Sequence, residues 1–162
     1  MSDEELIAEA LKFEKNLLNF FWRQGVSLSE GEDLVQETYM RLWNYRRSYK
    51  PTAKLSTFLF LLARQVRIDA LRRQASRTER EEAWERERPA SEEPPAFGVR
   101  EDIRWAVAQL SEPLRDVVEL GVFQDLPYAE VGEILGIPVG TVKSRMSNAL
   151  KKLKEVMDDK RP

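Results

Sequence analysis

Residues 128–150 read YAEVGEILGIPVGTVKSRMSNAL, and this stretch decides the fold. Val131, Ile134 and Leu135 recur at helical spacing and mark a short amphipathic helix. Gly136 follows where a tight turn calls for a left-handed backbone. Ile137 is placed to plug the angle between two helices. Pro138 then leads into a second helix with Val142, Met146, Leu150 and Leu153 on its inner face. A small residue at Gly132, a turn glycine at Gly136 and an apolar residue at Val142 give helix-turn-helix spacing. Such motifs usually carry alanine where Gly132 stands; glycine permits close packing at about 1 kcal/mol of helix propensity.

The outer side of the second helix presents Gly140, Thr141, Lys143, Ser144, Arg145 and Asn148. Arginine and lysine pair with guanine edges, asparagine with adenine, and hydroxyls with phosphate or base, so this side suits a DNA major groove. Lys151, Lys152 and Lys154 carry the positive charge on towards a phosphate backbone.

Charge is segregated along the chain although its net value is only -2. Residues 41–73 hold nine lysines and arginines against the single acid Asp69. Residues 139–154 hold five basic residues and no acid. Between these islands, residues 101–133 hold eight acids against Arg104 and Arg115.

Upstream, Ser2 with Glu5 forms a capping-box pattern, so a helix is expected from about Asp3, with Leu6, Ala10, Phe13, Leu17 and Phe20 as one stripe and Gly25 near its end. Ser29 with Glu32 repeats the pattern, and the helix after it should run to about Tyr45. Val35, Tyr39 and Leu42 line one face of that helix, with Leu34 and Thr38 beside them. Asp33, Gln36, Glu37, Met40 and Asn44 fall on the other, a mixed acidic and polar face that suits a protein partner better than DNA. Pro51 breaks the chain within a basic loop. A third helix should start after Ser56, apolar nearly all round at first, and end basic near Arg73. Aromatics adjoin this basic island (Tyr45, Tyr49, Phe58 and Phe60); such rings capture unstacked bases, although Phe58 and Phe60 read better as core.

Residues 75–98, ASRTEREEAWERERPASEEPPAFG, read as a flexible linker reaching at most about 80 Å. Beyond it, Ile103, Ala106, Val107 and Leu110 form a short helix. Ser111 caps the next, with Pro113 in its first turn and Leu114, Val117, Val118 and Val122 on its apolar side. The expected fold is all-α: helical domains at 1–74 and 99–162 joined by the linker, the second containing the helix-turn-helix.

Cysteine and histidine are both absent. That excludes disulfides, thiol nucleophiles, imidazole bases and imidazole metal ligands. No phosphate-binding glycine loop is present. No cofactor or metal is expected, and no catalysis. The acidic start is unlike a secretory signal, and the most apolar run, FLFLLA at 58–63, is too short for a membrane span, so a cytoplasmic location is expected.

Two blocks together resemble one family. The first is DLVQETYMRLW (33–43) followed by LSTFLFLLARQVRIDALRR (55–73); the second is LSEPLRDVVELGVFQDLPYAEVGEILGIPVGTVKSRMSNALKKL (110–153). Their order and spacing resemble the extracytoplasmic-function sigma factors, the small promoter-recognition subunits of bacterial RNA polymerase. The resemblance implies that Asp33, Gln36, Glu37 and Arg41 bind core polymerase, with Trp43 left to the core. It implies that Lys50, Lys54, Thr57, Arg64, Gln65, Arg72 and Arg73 meet the minus-ten element and help open it. It assigns Gly140, Thr141, Lys143, Ser144, Arg145 and Asn148 to the minus-thirty-five element. Core RNA polymerase and promoter DNA are the implied partners, with an anti-sigma factor as a third candidate. The family often has arginine at Leu61, asparagine at Gln65 and a basic residue at Asn148, departures that bear on base preference. Two other readings compete: an autonomous helix-turn-helix regulator, which needs only the second block, and an enzyme using paired carboxylates such as Glu81 with Glu82 or Asp158 with Asp159.

Overall fold

The computed structural model describes residues 2–49, 54–80 and 101–160, and all regular structure among them is helical. The first unit comprises α1 (Asp3–Leu11), α2 (Glu14–Arg23), α3 (Leu28–Tyr45) and α4 (Leu55–Arg80), with a 3-10 turn at Arg46–Ser48. The second comprises α5 (Glu101–Ala108), α6 (Glu112–Val118), a π-helical turn (Glu119–Phe123), α7 (Tyr128–Leu135) and α8 (Val139–Lys160). None of the described helices is long and apolar enough to cross a membrane.

The capping box at the start of α1 is complete. The Ser2 hydroxyl accepts from the Glu5 amide at 3.2 Å, and the Ser2 amide donates to Glu5 Oε2 at 3.3 Å. The single first helix expected from the apolar stripe is two. Lys12 and Phe13 bond back only three residues, to Glu9 and Ala10, which closes α1. At the break Phe13 meets Phe60 edge-on, with ring centroids 6.5 Å apart. Gly25 ends α2 in a left-handed conformation (φ +85°), letting the Val26 amide reach the Phe21 carbonyl and the Gly25 amide the Trp22 carbonyl. With Val26 buried, the chain re-enters a helix at once, so Ser27 rather than Ser29 caps α3 and accepts from the Glu30 amide at 3.1 Å. The third helix is longer than expected at both ends, running through Arg80; the first six residues assigned to the linker are helical. Residues 81–98 and Val99 lie outside the described residues.

Phe21, Leu17, Leu59, Phe60 and Val66 fill the core of the first unit, and Val117, Val118, Leu120, Val131 and Val142 that of the second. The two cores are one continuous cluster, because α4 packs against α7 and α2 against α5. Full burial of one such side chain is worth about 1.5–3 kcal/mol. Val122 is half exposed, since the π-helical turn rotates it off the apolar side of α6. Ser111 takes the cap position of α6, but its side chain makes no capping bond.

Candidate functional site

The helix-turn-helix forms as its residues dictate. Gly136 is left-handed (φ +69°), and the Ile137 amide bonds back to the Gly132 carbonyl at 3.0 Å. A Cβ on Gly132 would stand 2.7 Å from the Ile137 carbonyl oxygen, so glycine is what this turn's backbone approach demands. Val142 and Met146 are buried as expected. Leu150 is not: it is 49% exposed, and Ala149, one residue earlier, faces the core instead. Steps of three and four residues both satisfy helical spacing, and the small alanine fits the close packing of α8 on α6. The outer side of α8 is open. Gly140, Lys143, Ser144 and Asn148 are exposed, and Thr141 and Arg145 half-buried.

The outer face of α3 is open in part. Asp33 and Gln36 are exposed. Glu37 is tied down, accepting from Arg41 at 3.0 Å and from Arg73 of α4 at 3.3 Å. Arg41 also holds Asp69 at 2.8 Å. Burial works against the Arg41 charge, but the Asp69 and Glu37 bonds outweigh it and raise its pKa. Arg41 is therefore a bridge between α3 and α4 as well as a surface cation. Trp43 is not core: it is 42% exposed, beside an apolar groove shared with Ile7 and Leu11, and the Arg46 guanidinium lies 3.8 Å over its ring.

The residues assigned to the minus-ten element do not share one open face. Gln65, Arg72 and Arg73 are exposed. Thr57 is 5% exposed, and its hydroxyl has no hydrogen-bond partner. Lys54 pairs with Glu130 of α7 at 3.1 Å, and Arg64 pairs with Asp116 of α6 at 3.7 Å. Lys50 lies outside the described residues. Phe60 is core, while half-buried Phe58 stacks on Tyr49 at 5.5 Å. Of the carboxylate pairs, Glu81 and Glu82 lie outside the described residues, and Asp158 and Asp159 are exposed on α8.

Several connecting residues had no role in the sequence reading. Arg23, 6% exposed, holds Glu119, 1% exposed, through two bonds: Nε to Oε2 at 2.6 Å and Nη2 to Oε1 at 2.8 Å. The same guanidinium lies 4.2 Å over the Phe123 ring. Gln124 donates to Glu119 at 3.0 Å and exchanges bonds with Asn16. Burial pushes the Glu119 carboxyl up, against the pull of Arg23 and Gln124. Arg104 of α5 donates to the Trp22 and Val26 carbonyls at 2.8 and 3.1 Å, satisfying the end of α2, and stacks 3.5 Å over the Trp22 ring. Between α4 and α6, burial raises the Asp116 carboxyl to about 6 despite Arg64. One signal was present: Glu119 is the lone charge within the apolar run VVELGV.

Comparison with known proteins finds two family patterns in the chain. Residues 12–77 match the family pattern described as Sigma-70 region 2, and residues 100–153 that of Sigma-70, region 4. The chain is 31% identical over 146 residues to the ECF RNA polymerase sigma factor SigL of Mycobacterium tuberculosis, covering 85% of this chain and 82% of that one. It is 29% identical over 159 residues to the ECF RNA polymerase sigma factor RpoE of Cereibacter sphaeroides, covering 96% and 88%. Among solved structures, the sigma factor RpoE in complex with the anti-sigma factor NepR from Bartonella quintana superposes with a TM-score of 0.83 at 25% identity, over 98% of this chain and 99% of that one. An autonomous regulator has no need of the region 2 match over residues 12–77, which disfavours that reading. The chain thus belongs to the ECF RNA polymerase sigma factors, proteins that direct RNA polymerase to specific promoters.

Proposed function

We propose a division of labour over the surface of this sigma factor. The first unit, residues 1–74, grips core polymerase through the outer face of α3 (Asp33, Gln36, Glu37 and Arg41) and holds the opened minus-ten strand with the basic side of α4. Lys54, Thr57, Arg64, Gln65, Arg72 and Arg73 serve that strand, with Lys50 from the preceding loop. Residues 75–98 tether the second unit, residues 99–162, which reads the minus-thirty-five element with Gly140, Thr141, Lys143, Ser144, Arg145 and Asn148. Linking two DNA-reading units raises their effective concentration without new contacts.

The observation that carries this reading is the outer side of α8, a polar and basic helix face on which Gly140, Lys143, Ser144 and Asn148 are exposed, fixed by a complete helix-turn-helix. The protein acts in the cytoplasm, without catalysis of its own and without a cofactor. An anti-sigma factor is a fitting third partner: the superposing RpoE was solved with one. Reconstitution tests the whole. Adding the chain to core polymerase lacking its own specificity subunit yields transcripts from defined start sites; association with DNA but not with core polymerase overturns it.

A further inference from the structure

A cleft of about 430 Å³ lies in the second unit beside the helix that faces DNA. Asn148, Lys151 and Lys152 of α8 line it from one element. Gln109 and Ser111, in the short connection between α5 and α6, line it from another, and half-buried Leu114 completes the apolar part. The polar residues of this lining are all exposed. The fold makes little use of them. Ser111 stands at the cap position of α6, yet its side chain makes no capping bond. The Gln109 carboxamide donates only a long bond, to the Trp105 carbonyl at 3.4 Å. Among the described residues, no carboxylate is paired with Lys151 or Lys152. Glu155 is the one acid in the lining, so two ammonium groups face a single carboxylate.

We propose that this cleft seats a backbone phosphate of the duplex beside the minus-thirty-five element, and that Ser111 and Gln109 are positioning residues for the DNA-reading helix. The inference rests on the reading of α8 given above. Ammonium, hydroxyl and carboxamide groups are the donors that hold phosphate oxygens in protein–DNA complexes. Lysines alone hold a strand loosely, because each is a point charge on a flexible stem. Ser111 and Gln109 have shorter side chains, set by the backbone of a different element, so together with the lysines they fix a phosphate at one place. Phosphate contacts of this kind set the register of a protein on its duplex and carry no base information directly. Asn148 belongs to both surfaces: it is exposed on the outer side of α8 and lines the cleft. Glu155, one turn beyond Lys151, repels a phosphodiester and ends the strand's path along α8.

The test separates folding from binding at Ser111. Aspartate caps a helix as well as serine does and adds an acid to the first turn of α6, so Ser111→Asp holds or raises the thermal midpoint of the full chain. The same carboxylate repels a phosphate. The probe is a duplex carrying a promoter identified from the transcripts of the reconstituted polymerase. Polymerase reconstituted with Ser111→Asp binds this duplex at least about tenfold more weakly than the parent, and loses the same factor on a duplex with the minus-thirty-five bases scrambled. Neutral methylphosphonates placed singly along the element reveal one phosphate whose neutralisation weakens the parent about tenfold and Ser111→Asp no further. The exposed lysines give a second test: Lys151→Ala with Lys152→Ala lowers the salt slope of binding by about two. Ser111→Asp binding within twofold of the parent overturns the seat. A loss confined to the intact element overturns it too, since the cleft would then read bases. So does the absence of any phosphate coupled to Ser111, or a salt slope unmoved by the lysine changes; the sigma-factor reading survives each of these. If the parent gives no promoter-specific transcripts, that reading falls and the inference with it.

Discussion

The outer side of α8 and the basic side of α4 are both cationic helix faces assigned to DNA, and they are built in opposite ways. Lys143 and Ser144 project into solvent. Lys54 and Arg64 are engaged by carboxylates from the other half of the chain. A cationic face that stays open is paid for by the rigid motif beneath it, here the Gly136 turn and the buried Val142 and Met146. A face that is covered has its charges met from within the chain. The same charge pattern in sequence therefore means availability in one place and internal pairing in the other.

The widest contrast comes from breaking the two proposed binding surfaces separately. Lys143→Ala with Arg145→Ala removes two groups suited to base edges, each worth about 1–3 kcal/mol, so affinity for an upstream-element duplex falls about 100-fold or more. Core-polymerase affinity stays within about twofold, read by fluorescence anisotropy for both partners. Asp33→Lys with Glu37→Lys does the reverse, weakening core binding about tenfold to 100-fold while duplex binding holds. Because Glu37 also braces Arg41 and Arg73, the second variant is checked by its thermal midpoint. If both variants lose both partners equally, the division of labour fails.

The open face was legible because everything that makes it is local. Gly136, Ile137 and the apolar steps of α7 and α8 lie within one short stretch, and periodicity with turn chemistry is enough to read them. Ambiguity entered only where two readings satisfy one rule, as with Leu150 against Ala149. Ser27-x-x-Glu30 and Ser29-x-x-Glu32 both fit a capping box; the left-handed Gly25 and buried Val26 choose the first, and these depend on how α2 packs. The break after Leu11 has no proline or glycine to announce it. The covered face was not legible at all. Its carboxylates lie many tens of residues away from α4, and no local pattern says that Asp116 and Glu130 come to rest on Arg64 and Lys54. Sequence did identify the acidic segment 101–133 and the basic island 41–73, but not that one sits on the other.

The turn that keeps α8 rigid gives a smaller and more local effect. Gly136→Ala meets no atom within 4 Å, so its cost is backbone conformation alone. Placing an L side chain at φ +69° costs about 1–2 kcal/mol. The thermal midpoint of the full chain drops by a few degrees. Helix content at low temperature is unchanged, and duplex affinity falls little once the chain is folded. A larger loss of duplex affinity than of stability would mean that the turn tunes the face rather than merely supporting it.

The smallest effect tests the covered face through pH. Asp116 is held between Arg64 of α4 and Glu112 and Arg115 of its own helix, and burial raises its carboxyl to about 6. For a carboxyl raised in the folded state, the neutral form is the favoured one. Its stabilising contribution is whole below the ordinary aspartate value of 3.8 and is lost as pH rises through about 6. The wild-type chain accordingly loses about 1 kcal/mol between pH 5 and pH 7 through this group, a fall of about 2–4 °C in thermal midpoint. Asp116→Asn removes that component, so the difference between the two proteins narrows or changes sign as pH rises. A wild-type profile identical to that of Asp116→Asn over this range would place the carboxylate in water and the α4–α6 cleft open in the free protein.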